Sequence, residues 1–198
     1  MAISNGYTTL AEAKTLVGVT ASTHEADLER AIEAASRRID GWCGRYFYQD
    51  ASTSAREYTP DHPTVLVVDD ISTTTGLTVY EETVFGTWGQ LWTSGDWTGN
   101  YGYRLEPDDL PHWRIVALSG EWQQTRFSVQ VTAKWGFAAV PTDVEQACLL
   151  LATRLYKRKD TPFGILQNPA AGQSTLPPMD PDVKQLLSKW VNVARVSV

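Results

Sequence analysis

The chain opens on helical periodicity. Leu10, Ala13, Leu16 and Val17 fall on one face of a short helix, which Thr9-Leu10-Ala11-Glu12 starts as a capping box and Gly18 stops. A longer helix follows. Leu28, Ile32, Ala35, Ile39 and Trp42 recur at alternating spacings of four and three, one stripe, with Glu29, Glu33, Arg37 and Asp40 on the other faces. Ser22-Thr23-His24-Glu25 supplies a second capping box, and Gly41 and Gly44 loosen the end. The period changes after Tyr48. Residues 64–69 and 76–80 are short apolar runs typical of strands. From Phe85 to Tyr103, Trp88, Trp92, Trp97, Tyr101 and Tyr103 alternate with Gly, Ser and Asn and read as hairpins with long loops. Ile115–Leu118 and Phe127–Trp135 are further strands. In the latter, Phe127, Val129 and Val131 alternate with Ser128, Gln130 and Thr132, the pattern of a half-buried strand. Helical spacing returns at Pro141-Thr142-Asp143-Val144-Glu145, with Thr142 as cap and Glu145 completing the box. Val144, Ala147, Cys148, Leu151 and Leu155 make its face, and it ends in Lys157-Arg158-Lys159. Residues 160–180 are rich in Pro, Gly, Asn, Gln and Ser and read as a flexible linker. Asp180-Pro181 opens a last helix, with Val183, Leu186, Leu187, Trp190 and Val193 on its apolar face.

This order predicts an α+β fold. A small helical bundle of two N-terminal and two C-terminal helices comes from residues 1–49 and 136–198, and a large antiparallel β-rich insertion fills 50–135. A length of 198 residues fits one domain carrying such an insertion, and no internal repeat is visible. Hydrophobic content of 42% and charged content of 20% exclude wholesale disorder. No stretch approaches the roughly 20 apolar residues of a membrane helix. Met1-Ala2-Ile3-Ser4-Asn5-Gly6 lacks the basic and then apolar segments of a secretory signal, so a soluble protein in a reducing compartment is expected. Two cysteines make neither a disulfide scaffold nor a four-thiolate zinc site, and Cys43 and Cys148 read as small buried hydrophobes.

The formal net charge of -6 argues against an open basic surface that wraps nucleic acid. The charge is uneven. Residues 50–111 hold eleven Asp or Glu against Arg56 and Arg104 alone, whereas residues 112–198 hold ten Lys or Arg against six acids.

Candidate chemistry is sparse. His24, His62 and His112 have no ligand-spaced partner, and neither H-E-x-x-H nor C-x-x-C occurs. Gly99-Asn100-Tyr101-Gly102 lies in an aromatic hairpin rather than between a strand and a helix, so it is no phosphate loop. Asp69-Asp70 and Asp108-Asp109 are adjacent acids of the kind that form solvated turns. The residues therefore point to no catalytic site, no metal site and no cofactor. Twelve of the 21 aromatic residues fall between Tyr80 and Phe137. They fill a β core, anchor a subunit interface, or stack on a ligand such as a sugar ring. The last option calls for Arg or Lys nearby, and the hairpin region has only Arg104. Trp88, Trp92, Trp97 and Trp190 are the candidate interface contacts. Arg154, Lys157, Arg158 and Lys159 form a basic tip, either a solvated helix end or a contact for an acidic partner or DNA phosphates.

Two blocks of about 80 residues resemble a known family. Thr8-Thr9-Leu10-Ala11-Glu12-Ala13-Lys14, with the helix ending Ala34-Ala35-Ser36-Arg37-Arg38-Ile39-Asp40-Gly41-Trp42-Cys43-Gly44-Arg45, is similar to the N-terminal half of tailed-phage head–tail connector proteins, also called adaptor or head-completion proteins. Val131-Thr132-Ala133-Lys134-Trp135-Gly136-Phe137, Val140-Pro141-Thr142-Asp143-Val144-Glu145-Gln146-Ala147 and Tyr156-Lys157-Arg158-Lys159-Asp160 resemble that family's strand, helix and basic helix end. The resemblance implies a structural virion protein made in the host bacterial cytoplasm. It implies a homo-oligomeric ring, commonly of twelve subunits, docked on the portal. Such a ring extends the channel for passing double-stranded DNA, without sequence specificity, and offers a platform to the next neck or tail-terminator protein. On this reading the basic tip meets portal or channel, and no membrane is involved. The acidic, Trp-rich insertion departs from shorter family members.

Overall fold

Thr9 starts the first helix, α1 (Leu10–Val17), in the way its sequence dictates. Its hydroxyl accepts the Glu12 N–H and the Glu12 carboxylate accepts the Thr9 N–H at 3.0 Å, while Gly18 closes the helix at a φ of 75°. Replacing Thr9 by Ala is expected to cost about 1 kcal/mol, read from the denaturation midpoint. The computed structural model describes residues 3–84, 86–96, 98–99, 101–158, 165–168, 172–175 and 179–192. The chain divides into two units, Met1–Phe47 with Val140–Val198, and Tyr48–Ala139. The class is α+β: four α-helices accompany a β-rich region in which most strands close into a barrel.

In the helical unit, α2 spans Glu25–Cys43. The capping box expected at Ser22 does not form. Ser22–His24 is a 3₁₀ turn, and His24 stands at the cap without a side-chain bond. Leu28, Ile32, Ala35 and Ile39 are buried as their spacing requires. The buried face then swings towards Ser36, Asp40 and Cys43, which leaves Trp42 39% exposed. Asp40, off the apolar stripe in sequence, is buried: its carboxylate accepts the Tyr7 hydroxyl and pairs with Arg37 Nε at 2.9 Å. The Tyr7 oxygen in turn accepts the Phe47 N–H at 2.9 Å. Helix α3 (Thr142–Lys157) buries Val144, Ala147, Cys148, Leu151, Ala152 and Tyr156. Thr142 is its first helical residue rather than its cap, which is Pro141. Leu155 is only half-buried, and Tyr156 takes the inward position.

Both thiols are free and buried, and burial pushes Cys43 up to about 12 and Cys148 to about 11. Since the thiolate is the nucleophile, neither is expected to react with a thiol reagent at pH ~8 in the native protein. Both are expected to react after unfolding, which a colorimetric thiol count checks.

Among the described residues, the second unit contains six strands: β1 (Ser54–Tyr58), β2 (Val65–Val84), β3 (Thr87–Ser94), β4 (Gly102–Glu106), β5 (His112–Ser119) and β6 (Val129–Trp135). Their order is β1-β6-β2-β3-β4-β5, and an added β2–β5 pairing closes β2, β3, β4 and β5 into a ring. The two runs expected at 64–69 and 76–80 are one continuous strand. The Thr73-Thr74-Thr75-Gly76 punctuation between them is a bulge, where the register against β6 slips between Thr73 and Thr78. Pairing is antiparallel except between β3 and β4, which run parallel through Thr93 and Gly102. Val129, Val131, Ala133 and Trp135 point inward from β6, but Phe127 precedes the strand at a φ of 56° and is exposed.

Residues 160–180 were expected to hold no element. The structure places an antiparallel two-stranded hairpin there, β7 (Ile165–Asn168) with β8 (Gly172–Thr175). Helix α4 (Pro181–Leu187) follows with Pro181 at its first turn, and a 3₁₀ turn over Ser188–Trp190 ends it. Val183 and Leu187 are buried, while Val193 lies outside the described residues.

Candidate functional site

The basic tip forms where α3 ends. Arg154 and Lys157 lie in the last turn of α3 and Arg158 caps it, so three cations meet the negative end of the helix dipole. They are not equivalent. Arg154 is mostly buried and bonds the Asp180 carboxylate, which ties α3 to the start of α4. Asp180 therefore occupies the cap position without using its carboxylate there. Lys157 and Arg158 are exposed, and Lys159 lies outside the described residues.

The four candidate tryptophans separate. Trp92 is 2% exposed and sits in the barrel core. Its ring stacks on Trp122 at 3.7 Å and 25°, and its indole N–H donates to Glu81 Oε2 at 3.2 Å. That geometry removes it as a surface contact. Glu81 is buried as well and accepts the Gln123 N–H at 2.6 Å through its other oxygen. Trp88, half-buried, sits on β3 opposite Glu82 and keeps an accessible face. Trp97 lies outside the described residues. Trp190, in the helical unit, is half-buried with its ring edge-on to Phe47 at 5.9 Å.

Sequence periodicity missed an aromatic and basic surface on the helical unit. Trp42 and Tyr46 are 39% and 52% exposed at the C-terminal end of α2. Lys184 Nζ lies 5.4 Å from the Trp42 ring centroid, and Lys189 Nζ lies 5.1 Å from that of Trp190. Lys189 also pairs with Asp143 at 2.5 Å, which holds the Asp143 carboxyl below its usual range. An open groove of about 540 Å³ runs between α3 and α4, with Leu150 and Leu186 in its lining beside Asp143, Asp182 and Lys189. The visible signal in the sequence was Trp42 at the end of α2, with Lys184 on α4 and Lys189 and Trp190 on the turn after it; the two tryptophans were read as members of apolar helix stripes.

Among the described residues, the candidate histidines and adjacent acids do not converge on one another. His24 packs edge-on to Tyr156 at 6.2 Å, His62 Nδ1 accepts the Thr64 N–H, and His112 Nδ1 lies 2.6 Å from the Pro107 carbonyl. Asp69 bonds Arg56 and the Tyr58 hydroxyl, and Asp108 and Asp109 are exposed. Among the described residues, no group of three or more His, Cys, Asp or Glu is placed to hold a metal ion. No helix among them is long and apolar enough to cross a membrane.

Charge follows the two units. Tyr48–Ala139 carries twelve acids and five bases, while the helical unit carries eleven acids and twelve bases.

No family model matches the chain, and no curated protein does. Solved structures do. A chain from the neck of an empty gene transfer agent particle, computed with C6 symmetry, is 20% identical with a TM-score of 0.58, over 98% of this chain and 93% of that one. The neck of the native particle, computed with C12 symmetry, matches at 20% identity and a TM-score of 0.54 over the same shares. The virion of the native gene transfer agent particle matches at 20% and 0.56, again over 98% and 93%. This chain shares, over nearly its whole length, the fold of a neck component of a phage-like particle.

Proposed function

We propose that this protein is a structural, non-catalytic component of the neck of a tailed-phage-like particle. In this reading it is an adaptor ring, of twelve copies, docked beneath the portal. It extends the channel through which double-stranded DNA passes and offers a platform to the next neck or tail protein. The observation that carries the reading is the fold shared with neck chains across both units, rather than across one module. A cyclic ring needs head-to-tail contacts between unlike surfaces of one chain, and the unequal charges of the two units supply unlike surfaces. Imaging of purified particles tests the reading: density for this chain belongs in the neck, and its absence there defeats the proposal.

Lys157 and Arg158 are the proposed contacts with portal or channel. Arg154 is excluded from the test because it already holds Asp180. The double variant Lys157→Glu with Arg158→Glu is expected to fold normally and to lower genome retention or tail joining roughly tenfold. Unchanged yield of DNA-filled, tailed particles would remove these residues from the role.

A further inference from the structure

Closure of the barrel gives every strand of the main sheet but one a neighbour on each side for at least part of its length. Strands β2, β3, β4 and β5 close on each other, and β6 lies between β2 and β1. Among the described residues, β1 is the one strand of that sheet with a single neighbour. Its five residues pair with β6 in uninterrupted register, Ser54 opposite Ala133 through Tyr58 opposite Val129. The edge is short and carries the charged Arg56 and Glu57, but no bulge, proline or lysine interrupts Ser54–Tyr58. Its Arg56 is drawn onto Asp50, Asp69 and the Trp135 ring. Ser54, Ala55 and Glu57 are exposed.

The helical unit holds the complementary deficiency. Among the described residues, β7 and β8 form a sheet of two strands, each four residues long, and each pairs with no strand but the other. A lone two-stranded hairpin is marginal in water and gains stability from a third strand or a packed face. Its strands read Ile-Leu-Gln-Asn and Gly-Gln-Ser-Thr, with no charged residue.

We infer that the β7–β8 hairpin of one copy adds to the β1 edge of a second copy, so that strand addition links neighbouring subunits. The alternative of two β1 edges meeting brings together two units with twelve acids and five bases each, and it makes a two-fold pair that cannot propagate around a ring. Uncharged hairpin strands meet the acidic barrel without that repulsion. Strand length agrees as well, four residues against five. Main-chain hydrogen bonds then supply the contact, as in other strand additions. The inference rests on the ring reading for its geometry, though not on which particle the ring belongs to.

Disulfide trapping tests it, because native Cys43 and Cys148 are both buried and leave engineered thiols as the reactive ones. Ala55→Cys is combined with Gln173→Cys or with Ser174→Cys in the full chain, and Thr98→Cys with Gln173→Cys serves as collision control. Each variant is oxidised both in purified particles and as concentrated recombinant protein. The expected result is a ladder of linked copies on non-reducing gels for an Ala55 pair, and none for the control or for Ala55→Cys alone. No ladder in either sample, a ladder equal to the control, a dimer from Ala55→Cys alone in the yield of the paired variants, or a linkage confined within single copies would each overturn strand addition. A ladder from recombinant protein, with the chain absent from the neck by imaging, would support strand addition and defeat only the proposed location.

Discussion

Replacing Trp92 by Ala is expected to destabilise the barrel unit by about 4 kcal/mol, a large part of the stability of a domain this size. Two losses combine. The side chain is fully enclosed, so its removal leaves a cavity beside Trp122, whose stacking partner disappears. The same change takes away the N–H donor to Glu81 Oε2, and a buried carboxylate left short of a donor is costly. Trp92→Phe separates the two. It retains much of the ring but not the N–H, and is expected to cost about 2 kcal/mol. Denaturant unfolding followed by tryptophan fluorescence reads both values, because parent and variants alike keep the buried Trp122 and Trp135 of the barrel. A Trp92→Ala variant within 1 kcal/mol of the parent would show that this ring does not hold the barrel together.

The contrast between Trp92 and Trp42 shows what periodicity conveyed. Helix positions, the β character of the middle of the chain and the α+β class follow from spacing alone, because apolar residues at 28, 32, 35 and 39 have one consistent partner surface. Periodicity does not reveal how a helix is rotated at its end. Asp40 lies off the apolar stripe, yet a Tyr7 hydroxyl brought from a residue 33 positions away makes its burial tolerable. Such a partner is invisible to any local pattern. Capping motifs failed for a related reason. Thr9 and Glu12 satisfy each other within four residues, whereas Ser22 and Thr142 have the same spacing in contexts where the chain enters the helix differently. In the barrel, 64–69 and 76–80 read as two separate runs, and only pairing with β6 shows one strand with a bulge before Thr78. Of the candidate contacts, the exposed Lys157 and Arg158 were legible from composition. The pairing of Arg154 with Asp180 and the burial of Trp92 required the tertiary fold.

Tyr7→Phe is the second large effect, expected to cost about 3 kcal/mol near neutral pH. The hydroxyl serves two buried groups at once, donating to Asp40 and accepting from the Phe47 N–H, so its loss leaves both short of a partner. The pH dependence distinguishes this network from simple loss of packing. Burial raises the Asp40 carboxyl above its ordinary value, while the Tyr7 bond and the Arg37 charge pull it down. Without the Tyr7 hydroxyl the carboxyl rises further. An acid whose folded-state value is raised contributes stability that is complete below its unfolded value and is lost as pH rises through the folded value. The Tyr7→Phe penalty is therefore expected to be greatest where Asp40 is ionised and to shrink as acid protonates it. Urea midpoints of parent and variant between about pH 4 and pH 8 measure this. Asp40→Asn supplies the control, because on that background the Tyr7→Phe penalty loses its slope with pH. A penalty equally flat with Asp40 present would mean that the Tyr7 hydroxyl stabilises the helical unit through the Phe47 N–H it accepts at 2.9 Å, and not through the carboxylate.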